Sequence, residues 1–514
     1  MRVGRIVMTL ALTGVLAAMH PELVGAAPSG KTTFAASQPL RSNVKLRNVR
    51  AHQAALQAIA DAHGGNRAAQ TAGYDASVAY VADQLRDAGY FVEIRDFQYP
   101  DAANATIILQ RLSPTPKTYN PGPDFQAMQG GNDGTAQGTL QPVDLVLPPT
   151  PAPSSTSGCE ASDFAGFPAG SIALIQRGTC TFNQKALNAM AAGAAGAIIF
   201  NEGQPGRTDA GVFFLGDGVT IPVMFASFAV GNELAQLAIA GPVTVRLSQQ
   251  TPIATEQNVI AESTWGDPNS VIVVGAHLDS RLEGPGINDN GSGTAVILET
   301  AIQMAKLGHT YRNRVRFAFW GAEEIGLIGS TQYVAQLVAS GEIANVATNL
   351  NFDMLGSPNF VRFVYDGDGS AFGLEGPTKG DISSAEIERV FVDFLASKGL
   401  QTEPTAFDGR SDYGPFIAVG IPAGGLFSGA EVPKTPAQAA SYGGTAGIPY
   451  DPCYHLACDT FDNNSDEVLG QFAQAAAHAV AYFAERAHGP RTPRTPRGAV
   501  NLNALPFRGP IPQR

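Results

Sequence analysis

The 514-residue chain reads as an α/β protein built on a mixed, mostly parallel sheet flanked by helices. Two observations predict this. From Gln257-Asn-Val-Ile-Ala-Glu262 onward, short β-branched or aromatic runs alternate with helical patterns, the order that crossover connections between parallel strands produce. Three of those runs, Val271-Ile-Val-Val-Gly-Ala276, Val315-Arg-Phe-Ala-Phe-Trp320 and Asn349-Leu-Asn-Phe352, suit buried strands and end abruptly in acidic residues or histidine. Strand ends of that kind are where α/β sheets carry their chemistry.

Composition narrows the function. Hydrophobic residues make up 44% and charged residues 15%, so a sizeable core is available, and the length suits two compact units plus tails. A net charge of -12 argues against nucleic acid or anionic membrane as a partner, since nothing neutralises phosphates in bulk. Arg2 and Arg5, the apolar run Ile6 to Met19 and the small residues Val24-Gly25-Ala26 read as a secretory signal over residues 1–26. A secreted (extracellular or periplasmic) soluble monomer is expected. The four cysteines form two close pairs, Cys159 with Cys180 and Cys453 with Cys458. In an oxidising compartment these read as local disulfides; a zinc site of four thiolates is the alternative, without a Cys-x-x-Cys pair to support it.

In chain order, a polar stretch to about Leu40 reads as loose or as a short pro-segment. Helical periodicity runs from Val44 to Ala62 and from Tyr74 to Ala88. Tyr90–Phe97 alternates as a strand, and Asn104–Leu109 reads as its hairpin partner in the same sheet. A stretch dense in Pro, Gly, Ser and Thr follows, from Ser113 to Gly158. Strands are expected at Gly170–Gln176, Ala195–Asn201, Ile221–Phe225 and Val243–Leu247, with a helix from Phe182 to Gly193. Further helices are read at Thr294–Leu307, Gly326–Ala339, Ser384–Leu395 and Asp466–Ala487, before a Pro/Arg-rich tail. The resulting division is 27–135 and 251–488 for the two parts of a discontinuous main domain, 136–250 for a β-rich insert, and 489–514 for the tail. The strand, Arg177-Gly-Thr-Cys180-Thr-Phe, helix, strand order of the insert resembles the protease-associated domain of secreted peptidases.

His277, Asp289, Glu324, Asp353 and His455 are the candidate metal ligands. Two histidines and three carboxylates suit a pair of divalent cations that share one carboxylate and keep open positions for water and substrate. Glu323 and Glu324 are neighbours whose side chains diverge on extended backbone, so one can ligate while the other acts as general base. Asp279, two residues after His277, is placed to accept the imidazole's other N–H and set its tautomer.

His277-x-Asp279, Asn288-Asp289-Asn290-Gly-x-Gly293, Glu323-Glu324-x-Gly326-Leu, Asn351-Phe-Asp353-Met and Cys453-Tyr454-His455-x-x-Cys458-Asp459 together resemble the co-catalytic di-zinc aminopeptidases, the family of aminopeptidase S and aminopeptidase Y. The resemblance runs from about Asn43 to Ala487. It implies a phosphorylase/hydrolase-like zinc peptidase sheet and peptide substrates with a free N-terminus. It assigns two zinc ions, one to His277 and Asp353, the other to Glu324 and His455, with Asp289 as the bridge. It makes Glu323 the base and Tyr454 a donor to the developing oxyanion, and it implies a cis peptide bond between Asp289 and Asn290. Arg410, in Gly409-Arg410-Ser-Asp412-Tyr-Gly-Pro-Phe, matches a substrate-side segment, with pairing to Asp412 as the plainer reading. Phe427 and the loop Ser428–Tyr450 are expected to wall an apolar, Leu-accepting pocket, and calcium near Asp459 and Asp462 is a further candidate by resemblance. A disulfide between Cys453 and Cys458 would hold the His455 loop. Carboxypeptidase or glutaminyl cyclase chemistry on the same scaffold, or a receptor-like relative without activity, are the competing readings.

Overall fold

The computed structural model describes residues 30–487 apart from 102, 103, 129, 130, 212, 214 and 217. The signal segment and the tail lie outside the described residues. No helix among those described is long and apolar enough to cross a membrane.

The main sheet has eight strands, in the order Phe91–Pro100, Ile253–Glu262, Asn313–Trp320, Asp267–His277, Val346–Phe352, Ala423–Phe427, Phe363–Tyr365 and Glu403–Thr405. Its four central strands are parallel. The strand ending at His277 lies in the middle and is buried on both faces, which explains its unbroken apolar run. Ile272, Val274 and Ala276 pack into the core under Leu46–Ala62, Ala72–Asp87, Gly291–Lys306 and Asp466–Glu485. Val271 and Val273 point to the opposite core, beneath Ile328–Ser340. Period-two alternation thus feeds two apolar layers from one strand. Each of these valine and isoleucine side chains contributes about 1.5–3 kcal/mol on burial.

A second eight-stranded sheet occupies the middle of the chain, in the order Lys117–Thr118, Thr106–Ser113, Thr244–Gln250, Gly134–Val143, Ile172–Gln176, Gly196–Phe200, Val223–Ala226 and Phe125–Ala127. Helices Phe182–Ala191 and Phe228–Ala240 pack on its two sides through Ala186 and Ala189 and through Val230 and Leu234. The Cys159–Cys180 disulfide is formed within it.

This topology corrects the expected hairpin. Phe91–Pro100 pairs with Ile253–Glu262 along its full length, from Phe91↔Glu262 to Pro100↔Ile253. Thr106–Ser113 instead joins the second sheet beside Thr244–Gln250, so that sheet begins well before residue 136. The chain leaves the main sheet and returns to it at one place, where the Asp101 N–H donates to the Pro252 carbonyl at 2.9 Å. Alternation announces a strand but carries no information about which distant edge it will pair with.

From Gly30 onward, the polar stretch before Leu40 is also not loose. It forms the helix Gly30–Asn43, with Pro39 inside it, docked on the final helix. Leu40 and Val44 enter the main core, while Ser37 meets His478 Nδ1 at 2.7 Å and Arg41 lies over Phe394. Polar Ser37 and Arg41 occupy the inward face, which hid the helical stripe from a reading of hydrophobicity.

Burial lowers the His478 pKa to about 3, with Arg41 and Lys398 adding to the effect. In the unfolded chain this imidazole protonates near its ordinary value of about 6.5, so between those limits the unfolded state binds the extra proton. Stability therefore falls as pH drops from about 6.5 toward about 3, by up to about 1.4 kcal/mol per pH unit from this group. Denaturant titrations across that range are expected to show a slope flatter by one proton in His478→Gln; equal slopes in both proteins would exclude the assignment.

Candidate metal centre and active site

The three parallel strands end side by side. His277 lies in register with Trp320, and Gly275 with Asn351 two residues before Asp353. Loops leaving this edge bring together all five residues expected as ligands. Asp289 arrives through the loop that closes onto the helix Gly291–Lys306. Asn290 caps that helix by accepting from the Gly293 N–H and ties it to the neighbouring strand end by donating to the Phe352 carbonyl at 2.9 Å. Gly293 is required there, since a Cβ would sit 2.2 Å from that carbonyl oxygen. The Asp289–Asn290 peptide bond is cis.

Asp289 divides its carboxylate between two histidines. Its Oδ1 lies 3.1 Å from His277 Nε2 and its Oδ2 3.2 Å from His455 Nε2. Asp353 Oδ1 stands 3.3 Å from His277 Nε2, and Glu324 Oε2 3.1 Å from His455 Nε2. Two overlapping triads result, His277·Asp289·Asp353 and Asp289·Glu324·His455, each with its ligand atoms within 4.8 Å of one another. Glu323 sits on the His277 side, 3.9 Å from its Nε2. Glu324 opens a turn and Glu323 precedes it; Glu324 reaches His455 and Glu323 faces His277, with one oxygen of each within 4.8 Å of the other.

The electrostatics describe charge in search of a counterion. Burial raises Glu324 to about 7, with Asp289 adding, and it holds Glu323 well above the usual carboxylate range, with Glu324 and Asp412 adding. Burial alone would lower the His455 imidazole, yet Glu324 and Asp289 outweigh it and push its pKa up to about 10. Asp353 Oδ1 and Glu324 Oε1 are buried without any hydrogen-bond donor. Imidazole nitrogens with carboxylate oxygens are a donor set that fits zinc.

Several supporting residues were not singled out for these roles from sequence. Asp459, 171 residues away, accepts the amide N–H groups of Asn288 and Asp289 at 2.8 and 2.9 Å. Ser411 donates to Asp353 Oδ2 at 2.5 Å and accepts from Asn351 at 2.8 Å. The fully buried Arg67 guanidinium donates to the carbonyls of Leu278, Pro285 and Gly286, clamping the loop between His277 and Asp289. Asp459 and Ser411 lie within the Cys453–Asp459 and Gly409–Phe416 motifs of the sequence; Arg67 carries no local signal. Asp279 departs from its expected part. His277 Nδ1 meets the Asp279 backbone carbonyl at 3.1 Å, while the Asp279 carboxylate is 3.7 Å away and instead accepts the Glu323 and Glu324 amides at 3.1 and 3.2 Å.

The cleft beside the cluster is lined by Met354, Tyr365, Phe427, Ala430, Thr405 and Tyr454, among others. Phe427 lies 6.0 Å from Phe363, ring to ring. Arg410 pairs with Glu431 at 2.8 Å, not with Asp412, and its Nη2 donates to Tyr454 Oη at 3.3 Å. The Cys453–Cys458 disulfide brackets His455.

Comparison with known proteins agrees with this architecture. The model of peptidase family M28 matches residues 258–480, and that of the PA domain matches 142–234. An aminopeptidase of Pseudomonas aeruginosa is 48% identical over 443 residues, covering 83% of this chain and 79% of the relative. The chain belongs to peptidase family M28. A second relative, leucine aminopeptidase 2 of Trichophyton equinum, is 38% identical over 498 residues, covering 96% of this chain and 95% of the relative. The solved structure of BSAP, a zinc aminopeptidase of Bacillus subtilis, superposes with a TM-score of 0.57 at 26% identity, over 85% of this chain and 94% of that one.

Replacing Asp459 with Asn removes one of the two acceptors that hold the Asn288 and Asp289 amides. Zinc affinity, measured by competition with a chromogenic chelator, is expected to fall about 10–100-fold. Unchanged affinity would show that the two amides do not position Asp289.

Proposed function

We propose that this M28 protein is a secreted zinc aminopeptidase that removes N-terminal residues from peptides with two zinc ions, His277 and Asp353 holding one, Glu324 and His455 the other, and Asp289 shared. The observation that carries the reading is the split of the Asp289 carboxylate between the two histidines. Two disulfides support an extracellular setting. When bound, zinc supplies Lewis acidity toward a peptide carbonyl and toward water.

The chain's own groups do the rest. Glu323 accepts a proton from the attacking water and returns it to the leaving amine, a task its carboxylate is placed for at the edge of the cluster, 3.9 Å from His277 Nε2. Asp279 orients it through the paired backbone amides. Burial holds the Tyr454 phenol well above its ordinary value, so it stays protonated and can donate to the oxygen that gains negative charge. Its contact with Arg410 and its stacking on His455, 3.7 Å between ring centroids, keep it aimed. A substrate's free α-ammonium finds four carboxylates nearby, and a blocked amine does not. Met354, Tyr365, Phe427 and Ala430 offer an apolar wall for a Leu-like side chain.

Leucine p-nitroanilide should be hydrolysed and its N-acetylated counterpart left intact, with chelator abolishing the rate; equal turnover of both compounds would falsify the aminopeptidase reading. Glu323→Gln is expected to retain zinc by elemental analysis while losing about 10²–10⁴-fold in kcat. Tyr454→Phe should lower kcat about 10²–10³-fold with KM little changed, and a near-normal kcat there would remove the phenol from the reaction.

A further inference from the structure

Three carboxylates converge where the strand Phe363–Tyr365 ends. Asp366 and Asp368 come from the following loop and Glu388 from the helix Ser384–Ala396; each brings one oxygen within 4.8 Å of the others. Among the described residues no ion pair reaches any of the three. The loop commits its amides to them: Glu388 Oε2 accepts from Gly367 and Asp368 at 2.8 and 3.1 Å, and Asp366 Oδ2 from Ala371 and Phe372 at 3.1 and 2.9 Å. One atom is left over. Asp366 is 1% exposed, and its Oδ1 is buried without a hydrogen-bond donor. A buried carboxylate oxygen with neither donor nor cation is costly.

We propose that Asp366, Asp368 and Glu388 form a metal site separate from the cleft, which takes one calcium ion. The donors are all carboxylate, with no imidazole or thiolate in the group, so the site suits a hard cation rather than zinc. Calcium accepts six to eight oxygens in irregular geometry, which a loop can complete with backbone carbonyls and water; magnesium demands a near-ideal octahedron. Asp366-x-Asp368-x-Ser370 also spaces oxygen-bearing side chains at alternate residues, as calcium loops do. The Asp459–Asp462 segment is the poorer candidate, because both Asp459 oxygens are committed to backbone amides.

The site has a consequence for the cleft. The Asp366 N–H donates to the Thr405 carbonyl at 2.9 Å, and both Thr405 and Tyr365 line the cleft. A bound ion braces the wall against which a substrate side chain rests. That brace, unlike the cation site itself, depends on the cleft being the peptide site.

Calcium titrated calorimetrically into the zinc-loaded full chain should bind at one site per chain and raise the melting temperature. Asp368→Asn, at an exposed position, and Asp366→Asn should each weaken binding at least 10-fold and lose the thermal shift, while Asp462→Asn keeps both. Absence of calcium binding in the wild type, unchanged binding in Asp368→Asn, or loss of binding in Asp462→Asn would each overturn the proposal. Should Asp366→Asn fail to fold, Asp368→Asn carries the test alone. If calcium binds as described but leaves KM for leucine p-nitroanilide unaltered, the brace is wrong and the site stands.

Discussion

The structure depends on a concentration of negative charge that the fold has removed from water. Asp289, Glu323, Glu324 and Asp353 meet His277 and His455 at the buried edge of a sheet, and two imidazoles alone do not balance them. Desolvating unpaired carboxylates is among the most expensive things a fold can do. Cations held by these residues would offset that cost.

Holding such a cluster together requires donors that do not compete for the ligand oxygens. The chain uses backbone amides and remote polar side chains for this. Asp459 and Asp279 are carboxylates turned away from the ligand role: each has both oxygens occupied by consecutive N–H groups, of Asn288 and Asp289 in one case and of Glu323 and Glu324 in the other. Arg67 treats the loop carbonyls in the complementary way. Main-chain hydrogen bonds of this kind fix the loops without adding a freely rotating side chain, which is how irregular segments acquire the rigidity a metal centre needs.

The residues that gather at the cluster were legible because their signal is local. A strand buried on both faces must be apolar, so its end is marked by the first charged residue, as at His277 and at Asp353. The supporting residues were not legible in the same way, since an arginine such as Arg67 looks like any other until its partners, more than 200 residues distant, come into contact. The strand Ala423–Phe427 escaped notice for a different reason. Two glycines, Gly424 and Gly425, weaken its pattern, yet a Cβ at Gly425 would stand 1.7 Å from the Asn351 carbonyl oxygen, so close packing against the Asp353 strand demands one there.

What the sequence by itself determined is the kind of structure: strands and helices in alternation, a β-rich insert, and five nitrogen- or oxygen-bearing side chains, the candidate ligands, at the ends of its strands and in its loops. Those follow from periodicity and side-chain type, which neighbouring residues fix between them. Only the tertiary structure decided that Thr106–Ser113 belongs to the second sheet, that Gly30–Asn43 is a helix despite Pro39, and that one carboxylate faces two histidines. Each of those outcomes is set by pairing energy between segments far apart in the chain, where edge choice, burial and hydrogen bonding are decided together and no local pattern carries the answer.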